Sequence, residues 1–431
     1  MPGFEEMWRE VSAIGRSART GGYDRTPWSS AELELRAWFR RAAQVRGLRL
    51  AEDGFGNLAA WWDPPDPADP GADAGADAGA DAGADAVLTG SHLDSVPDGD
   101  AFDGALGIVA GFGAIDLLHE RGVRPTRRIG VAAFAEKEGS RFGLACLGSG
   151  LATGAVDWST ARALRDAAGV RLGDLVPGPD AASPDAASPD AARAEVGLLA
   201  GVGTFLELHV EQGRALAERD AAIGVARGTW PHGRWRYDFT GRADHAGTAR
   251  MEDRADPMLG YAMTALAANK QARLSGQRAT FGRVEVHPGA SDIVPSLVRG
   301  WLDARAESEE ALALLVAAIE KQAAQRAGRD GTAVQVSVES RTAAVSFEPG
   351  LRDALASRLV APVLDAQAGH DAGVLQAAGT RAAMLFVRNP TGVSHVPAET
   401  ASTADCLAGV AALATALDLT TALDLAAGGE R

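Results

Sequence analysis

Five of the eight histidines fall in short glycine-flanked segments that also carry carboxylates, a composition suited to holding divalent metal ions. The densest is Gly90-Ser91-His92-Leu93-Asp94-Ser95-Val96-Pro97, followed by Phe102-Asp103-Gly104-Ala105. His92 and Asp94 are two residues apart, so on a strand they point the same way. Asp103 stands where the next helix should begin. An imidazole, a carboxylate beside it and a second carboxylate at the mouth of a sheet can hold a hard or borderline divalent ion. The other segments are Glu136-Lys137-Glu138-Gly139, Glu207-Leu208-His209-Val210-Glu211-Gln212-Gly213, Asp244-His245-Ala246-Gly247, Gly369-His370-Asp371 and Gly392-Val393-Ser394-His395-Val396-Pro397-Ala398-Glu399. His119 and His287 read as structural, and His232, between Pro231 and Gly233, as a turn residue.

Such segments need a scaffold that brings their ends together. Residues 86–90, 128–135 and 204–210 read as buried strands with polar residues at their C-terminal ends, and 105–118 as a helix. In an open α/β sheet that edge is where ligands bind. Upstream, residues 4–50 read as helical, with Ser29-Ser30 as an N-cap for the period of Leu33, Leu35, Trp38 and Phe39. Residues 57–62 read as a strand. From about residue 223 the pattern changes. Trp235, Tyr237 and Phe239 alternate with polar residues, and Val334, Val336 and Val338 do so again, as in half-exposed antiparallel strands. Asp256-Pro257 opens one helix and Ser308 caps another over 309–324, with strands at 284–286 and 298–304. This predicts an α+β module inserted into an α/β domain. Beyond about 345 the α/β pattern resumes, with a helix at 351–364, a strand at 382–387 and a helix at 403–417. The expected domains are 1–222 plus 341–431, and 223–340. Two low-complexity tracts read as exposed loops: 64–86, with four copies of Gly-Ala-Asp-Ala, and 177–192, with a Ser-Pro-Asp-Ala-Ala repeat. Neither can bury enough apolar surface to order itself.

The 431 residues suffice for two or three domains, and 46% hydrophobic with 23% charged is a globular balance. A net charge of −15 argues against nucleic acid and anionic membranes as partners. No run of eighteen apolar residues predicts a membrane span. Only Cys146 and Cys406 are present, and the first residues lack the basic and apolar regions of a secretory signal. A cytoplasmic location is therefore expected, with Cys146 a small buried hydrophobe.

On these segments the chain resembles the two-metal amidohydrolases that include allantoate amidohydrolase, N-carbamoyl-L-amino-acid hydrolase and ureidoglycolate-type enzymes, relatives of the dinuclear aminopeptidases and carboxypeptidases. Five motifs in order, between about residues 20 and 415, carry the likeness. It implies an aminopeptidase-like doubly wound α/β core with an inserted α+β lid and dimerisation domain. It also implies two divalent ions, Mn²⁺, Zn²⁺, Co²⁺ or Ni²⁺. His92 and His209 would bind one, Glu138 and His395 the other, and Asp103 both. His209 in place of an aspartate points to the carbamoyl and allantoate branch. Asp94 would accept a hydrogen bond from the His92 ring. His245 would reach the partner subunit's site in a homodimer and stabilise an oxyanion. Arg305 would clamp a small-molecule substrate's carboxylate, and Gln212 would touch substrate beside the metal. His370 is a further candidate for substrate contact, with packing as its alternative.

Two positions depart from the resemblance. The family reads Glu-Glu-Gly where this chain has Lys137-Glu138-Gly139, so a lysine stands in the place of the general base. An ammonium cannot accept a proton, and Lys137 serves as a base only if neutral. Glu136 on a strand would face the other way. Asp292 stands where the family has an asparagine that contacts substrate and oxyanion. The expected function is metal-dependent cleavage of a C–N bond in a carbamoyl or ureido acid by metal-activated water. Two alternatives stand beside it. One is a repurposed paralogue using Lys137 and Asp292 for a different substrate or reaction. The other is a binding protein without catalysis.

Overall fold

The computed structural model describes residues 1–65, 85–179 and 197–422, and most of both low-complexity tracts lies outside that range. Two compact units are present: Met1–Arg227 with Ser346–Arg431, and Gly228–Val345.

The first unit is a doubly wound α/β structure. Its central strands are runs of small and branched apolar residues buried on both faces, as a parallel sheet requires; Ala86–His92 and Ile129–Phe134 are buried throughout. Among the described residues the sheet has nine strands. Its order is Arg49–Glu52, Leu58–Trp62, Ile129–Phe134, Ala86–His92, Val202–Val210, Arg381–Val387, Ile223–Thr229 and Val345–Ser346, with Val363–Ala366 also paired to Ile223–Thr229. The four strands from Ile129–Phe134 to Arg381–Val387 are mutually parallel. From Ala86–His92 the chain passes through the helix Ala105–Glu120 to a neighbour on one side, and Val202–Val210 later takes the other side. Connections that leave in opposite directions open a crevice beyond the strand's C-terminal end. His92 is the last residue of that strand.

One face of the sheet packs under Ser30–Val45, Ala105–Glu120 and Thr403–Ala422, with Phe39, Phe112 and Leu413 in a common core. The other face packs Phe134, Phe205, Leu375 and Phe386. Thr403–Ala422 is, among the described residues, the one helix long and apolar enough to cross a membrane. Val410, Leu413 and Leu417 explain that composition, because they are buried in the core over the sheet. The region 4–50 contains two helices, Phe4–Val11 and Ser30–Val45, and the Ser29 hydroxyl accepts the Glu32 N–H at the second one's start. The helix expected over 351–364 is shorter, Pro349–Leu359. Val360 ends it in the left-handed region, and Val363–Ala366 then joins the sheet.

In the second unit a four-stranded antiparallel sheet runs in the order Ala333–Thr342, His232–Thr240, Leu297–Arg305, Arg278–His287. Trp235, Tyr237 and Phe239 alternate inward along their strand and share a core with the helices Pro257–Ser275 and Glu309–Arg329. Asp256 and Ser308 cap those helices by accepting the N–H of Met258 and of Ala311. A short ribbon pairs Asp244–His245 with Ile293–Val294. The division between the units falls at 227/228, not 222, because Ile223–Thr229 pairs into the large sheet.

Candidate metal centre

Asp103 lies at the middle of a cluster in the first unit, just before the helix Ala105–Glu120. Its two oxygens face different groups. Oδ1 lies 3.2 Å from His92 Nε2 and 2.9 Å from His209 Nε2. Oδ2 lies 3.1 Å from His395 Nε2, and Glu138 Oε2 is 3.4 Å from the same nitrogen. Two sets of donors thus share one carboxylate: His92, Asp103 and His209, all buried, and Asp103, Glu138 and His395, partly open.

The ring orientations suit metal binding. His92 Nδ1 is 3.0 Å from the Asp94 carbonyl, and His209 Nδ1 is 2.9 Å from the Val210 carbonyl. A carbonyl only accepts, so each Nδ1 carries a proton, and each Nε2 is the ligand nitrogen turned towards Asp103. His209 Nε2 is buried without a hydrogen-bond partner although it lies against a carboxylate oxygen. A cation between those two atoms would satisfy both. The imidazole and carboxylate donors fit borderline divalent ions. Gly104 makes room for this arrangement. Its φ is +71°, and a Cβ there would sit 2.4 Å from the His92 ring. For the His92 imidazolium, burial and the Lys137 charge are unfavourable. Bonds to Asp103 and Asp94 outweigh them and move it well above its ordinary pKa.

Lys137 enters this cluster as a cation. Its Nζ is 2.7 Å from Glu138 Oε1 and 3.4 Å from Asp103 Oδ1, and its side chain is buried. Burial opposes the charge, but the two carboxylates prevail and raise its pKa well above the ordinary lysine value. The Asp103 carboxyl responds in kind. Burial alone would raise it, yet the Lys137 ammonium and the His209 ring hold it well below the usual range. Glu136 is engaged by backbone groups of its own turn. Its backbone is left-handed (φ +53°), and its Oε1 accepts the N–H groups of Arg141 and Phe142. Burial pushes its carboxyl up to about 7.

Asp94 meets the His92 ring with two groups, its carbonyl at 3.0 Å and its carboxylate Oδ1 at 3.5 Å from Nδ1. The carboxylate also accepts the N–H of Lys137 at 3.2 Å and of Glu138 at 3.0 Å, so it fixes the turn that carries both. Gln212 Nε2 donates to Asp103 Oδ2 at 2.9 Å and to Ser394 Oγ at 3.1 Å, while its Oε1 is buried without a partner. His370 is buried against the His209 ring, with centroids 4.6 Å apart. Burial, then the neighbouring His209 ring and the Lys137 ammonium, push its imidazole well below the ordinary value.

Four carboxylates support the cluster in roles the sequence did not assign: Glu207, Asp371 and Glu399 from the histidine-bearing segments, and Asp100 from outside them. Asp100 Oδ1 accepts the N–H of Phe102 and Asp103. The i to i+2 and i+3 spacing is the signal that could have found it. Glu399 Oε2 accepts the His395 N–H and holds that residue in its left-handed conformation, φ +62°. Burial, with Asp100 and Asp103 nearby, pushes the Glu399 carboxyl up to about 9. Glu207 and Asp371 lie beneath the histidines. Glu207 accepts from Ser91 Oγ and the Ala372 N–H, and Asp371 from Ser149 Oγ. No local pattern announces partners 116 and 165 residues away.

The remaining candidates belong to the second unit. His245 is exposed, and its Nδ1 accepts from the N–H of Gly247 at 2.9 Å and of Thr248 at 3.2 Å. The proton is therefore on Nε2, which makes an outward donor. Asp292 neighbours it, for its carbonyl accepts the Ala246 N–H. Arg305 forms a two-point pair with Asp303, at 2.8 and 3.3 Å, and stands opposite His232 on the paired strand.

Residues 88–419 match peptidase family M20/M25/M40. An N-carbamoyl-L-amino acid amidohydrolase of Geobacillus stearothermophilus is 31% identical over 95% of this chain and 96% of its own length. Allantoate amidohydrolase of Escherichia coli is 28% identical over 95% of this chain and 96% of its own. Among solved structures, a hydantoinase/carbamoylase family amidase from Burkholderia multivorans superposes with a TM-score of 0.78 at 26% identity, over 97% of both chains.

Proposed function

The chain belongs to peptidase family M20/M25/M40, alongside allantoate and N-carbamoyl-L-amino-acid amidohydrolases, and is a hydrolase of non-peptide C–N bonds; from that premise we propose that it cleaves a carbamoyl or ureido acid of the allantoate or N-carbamoyl-L-amino-acid type. The observation that carries the reading is Asp103, with one oxygen facing His92 and His209 and the other facing His395. In this reading His92, Asp103 and His209 hold one divalent ion, and Asp103, Glu138 and His395 a second, from the set Mn²⁺, Zn²⁺, Co²⁺ and Ni²⁺. When bound, such ions supply charge that acidifies water and polarises an amide carbonyl.

The side chains take the remaining roles. Gln212 orients Asp103 through Nε2, and its unpartnered Oε1 accepts an N–H from the substrate's ureido group. In a homodimer the His245 Nε2–H donates to the developing oxyanion in the partner subunit's site, and Arg305 binds the substrate carboxylate. The same proposal includes a homodimer, checked by analytical ultracentrifugation, and a cytoplasmic location, checked by cell fractionation. Lys137 keeps its proton, so it orients Glu138 and does not take a proton from water. A missing general base typically slows a reaction by ~10²–10⁴-fold.

The test is ammonia release from allantoate and a panel of N-carbamoyl-L-amino acids with Mn²⁺ present, for native protein beside Lys137→Glu. Slow native turnover, accelerated by roughly 10²-fold or more in the variant, supports the reading. A second reading is favoured by the Lys137 ion pair alone: a paralogue whose lysine and Asp292 serve another substrate. It gains if the native protein is silent on the whole panel while Lys137→Glu turns these compounds over. Silence of both proteins with metal bound would sink the substrate assignment.

A further inference from the structure

The two donor sets around Asp103 are unequal in one respect that concerns charge. Lys137 places an ammonium inside the cluster, 2.7 Å from one oxygen of Glu138 and 3.4 Å from Asp103 Oδ1. Glu138 is the one carboxylate that the second set does not share with the first. Asp103 and Glu138 are the two carboxylates in reach of the ammonium, which offsets part of the charge they offer a metal ion. We infer that Lys137 is a built-in cation of this centre, so that the protein holds one divalent ion tightly at His92, Asp103 and His209 and a second only weakly at Asp103, Glu138 and His395.

With Lys137 in place, a second divalent ion must enter beside both the ammonium and the first ion, at a carboxylate the ammonium already holds. Like charges a few ångströms apart repel strongly where water is excluded. The first set is less affected, because it offers two imidazoles, including the unpartnered His209 Nε2, and does not use Glu138. The second set offers one imidazole, on the solvent-exposed His395, and its private carboxylate is already engaged. The Lys137 side chain is buried and its Nζ is held by both carboxylates. The inference rests on the metal-binding reading of these residues, and the experiment separates the two.

Mn²⁺ binding is measured on the full-length native chain by equilibrium dialysis with elemental analysis, and spin coupling between neighbouring Mn²⁺ ions by electron paramagnetic resonance. The native protein is expected to bind one Mn²⁺ per chain tightly and a second on the order of tenfold more weakly or worse, with no spin-coupled pair at the first equivalent. Lys137→Gln removes the charge and should tighten the second ion by roughly tenfold or more and bring in the coupled signal. Lys137→Arg keeps the charge and should retain the weak second site. Two ions of equal affinity in the native protein would overturn the inference and leave the metal reading standing. An unchanged second affinity in Lys137→Gln would also overturn it. No tight ion in the native protein would overturn both. If Lys137→Gln fails to fold, the native titration and Lys137→Arg decide.

Discussion

His92 and His209 stand on adjacent central strands and are fully buried, whereas Glu138 and His395 stand on bends and the His395 side chain is about half open to solvent. The first pair needs no backbone strain. Its Nδ1 atoms find carbonyls within one or two residues, and the sheet register sets the ring positions. The second pair is held from outside. Asp94 grips the turn of Glu138, and Glu399 grips a left-handed His395 at a cost of ~1–2 kcal/mol. A site built on strand ends is stiff because the core positions it, while a site built on loops depends on specific side-chain bonds. The two donor sets should therefore fail in different ways.

The largest effect is expected where the sets meet. Asp103→Asn should remove the tight ion, weaken binding at the other set further, and lower any ammonia release on the order of a thousandfold or more. Retention of one full equivalent of metal by elemental analysis would show that the sets do not depend on a shared carboxylate. Next, His209→Ala should abolish the tight ion, while His395→Ala should spare it and weaken only further binding, both read by Mn²⁺ titration. Equal effects of the two would break the distinction between the sets. A smaller effect is expected at Glu399. Glu399→Ala should weaken binding at the loop-built set by roughly tenfold, and Glu399→Gln, which keeps an acceptor for the His395 N–H, should restore it. Failure of the rescue would mean that Glu399 acts through charge and not through position.

The smallest effect concerns the buried support of the strand-built set. Burial, then Glu207, raises the Asp371 carboxyl to about 7. A carboxyl raised on folding favours the native state below its unfolded pKa. That contribution is lost as pH rises from about 4 through about 7. Native protein should thus lose thermal stability across that window, by on the order of 1–3 kcal/mol, and Asp371→Asn should flatten the profile. Asn still accepts from Ser149, so an unchanged slope would assign the pH dependence to another group.

Much of this arrangement was legible in the chain before folding. His92 and Asp94 two apart, Asp103 at a helix start, and Glu207 and His209 alternating with Leu206, Leu208 and Val210 are local patterns, and local patterns report element type and face. The same holds for Trp235, Tyr237 and Phe239, and for the caps at Ser29, Asp256 and Ser308. Boundaries were less legible, because where the helix after Pro349 stops and where the units divide depend on strands that pair far along the chain.

The tertiary structure alone decided which groups meet. Lys137 read as an anomaly whose charge was open. Only the tertiary structure shows that Asp103, from 34 residues away, and Glu138 are the carboxylates its side chain meets. Asp94 reaching the turn 44 residues on, Gln212 on Asp103, and Glu207 between Ser91 and Ala372 are of the same kind. Spacing fixes what a residue can do on its own element. Sheet order and the folding of loops over the strand ends decide its neighbours, and in a buried site the neighbours set charge, proton and ligand.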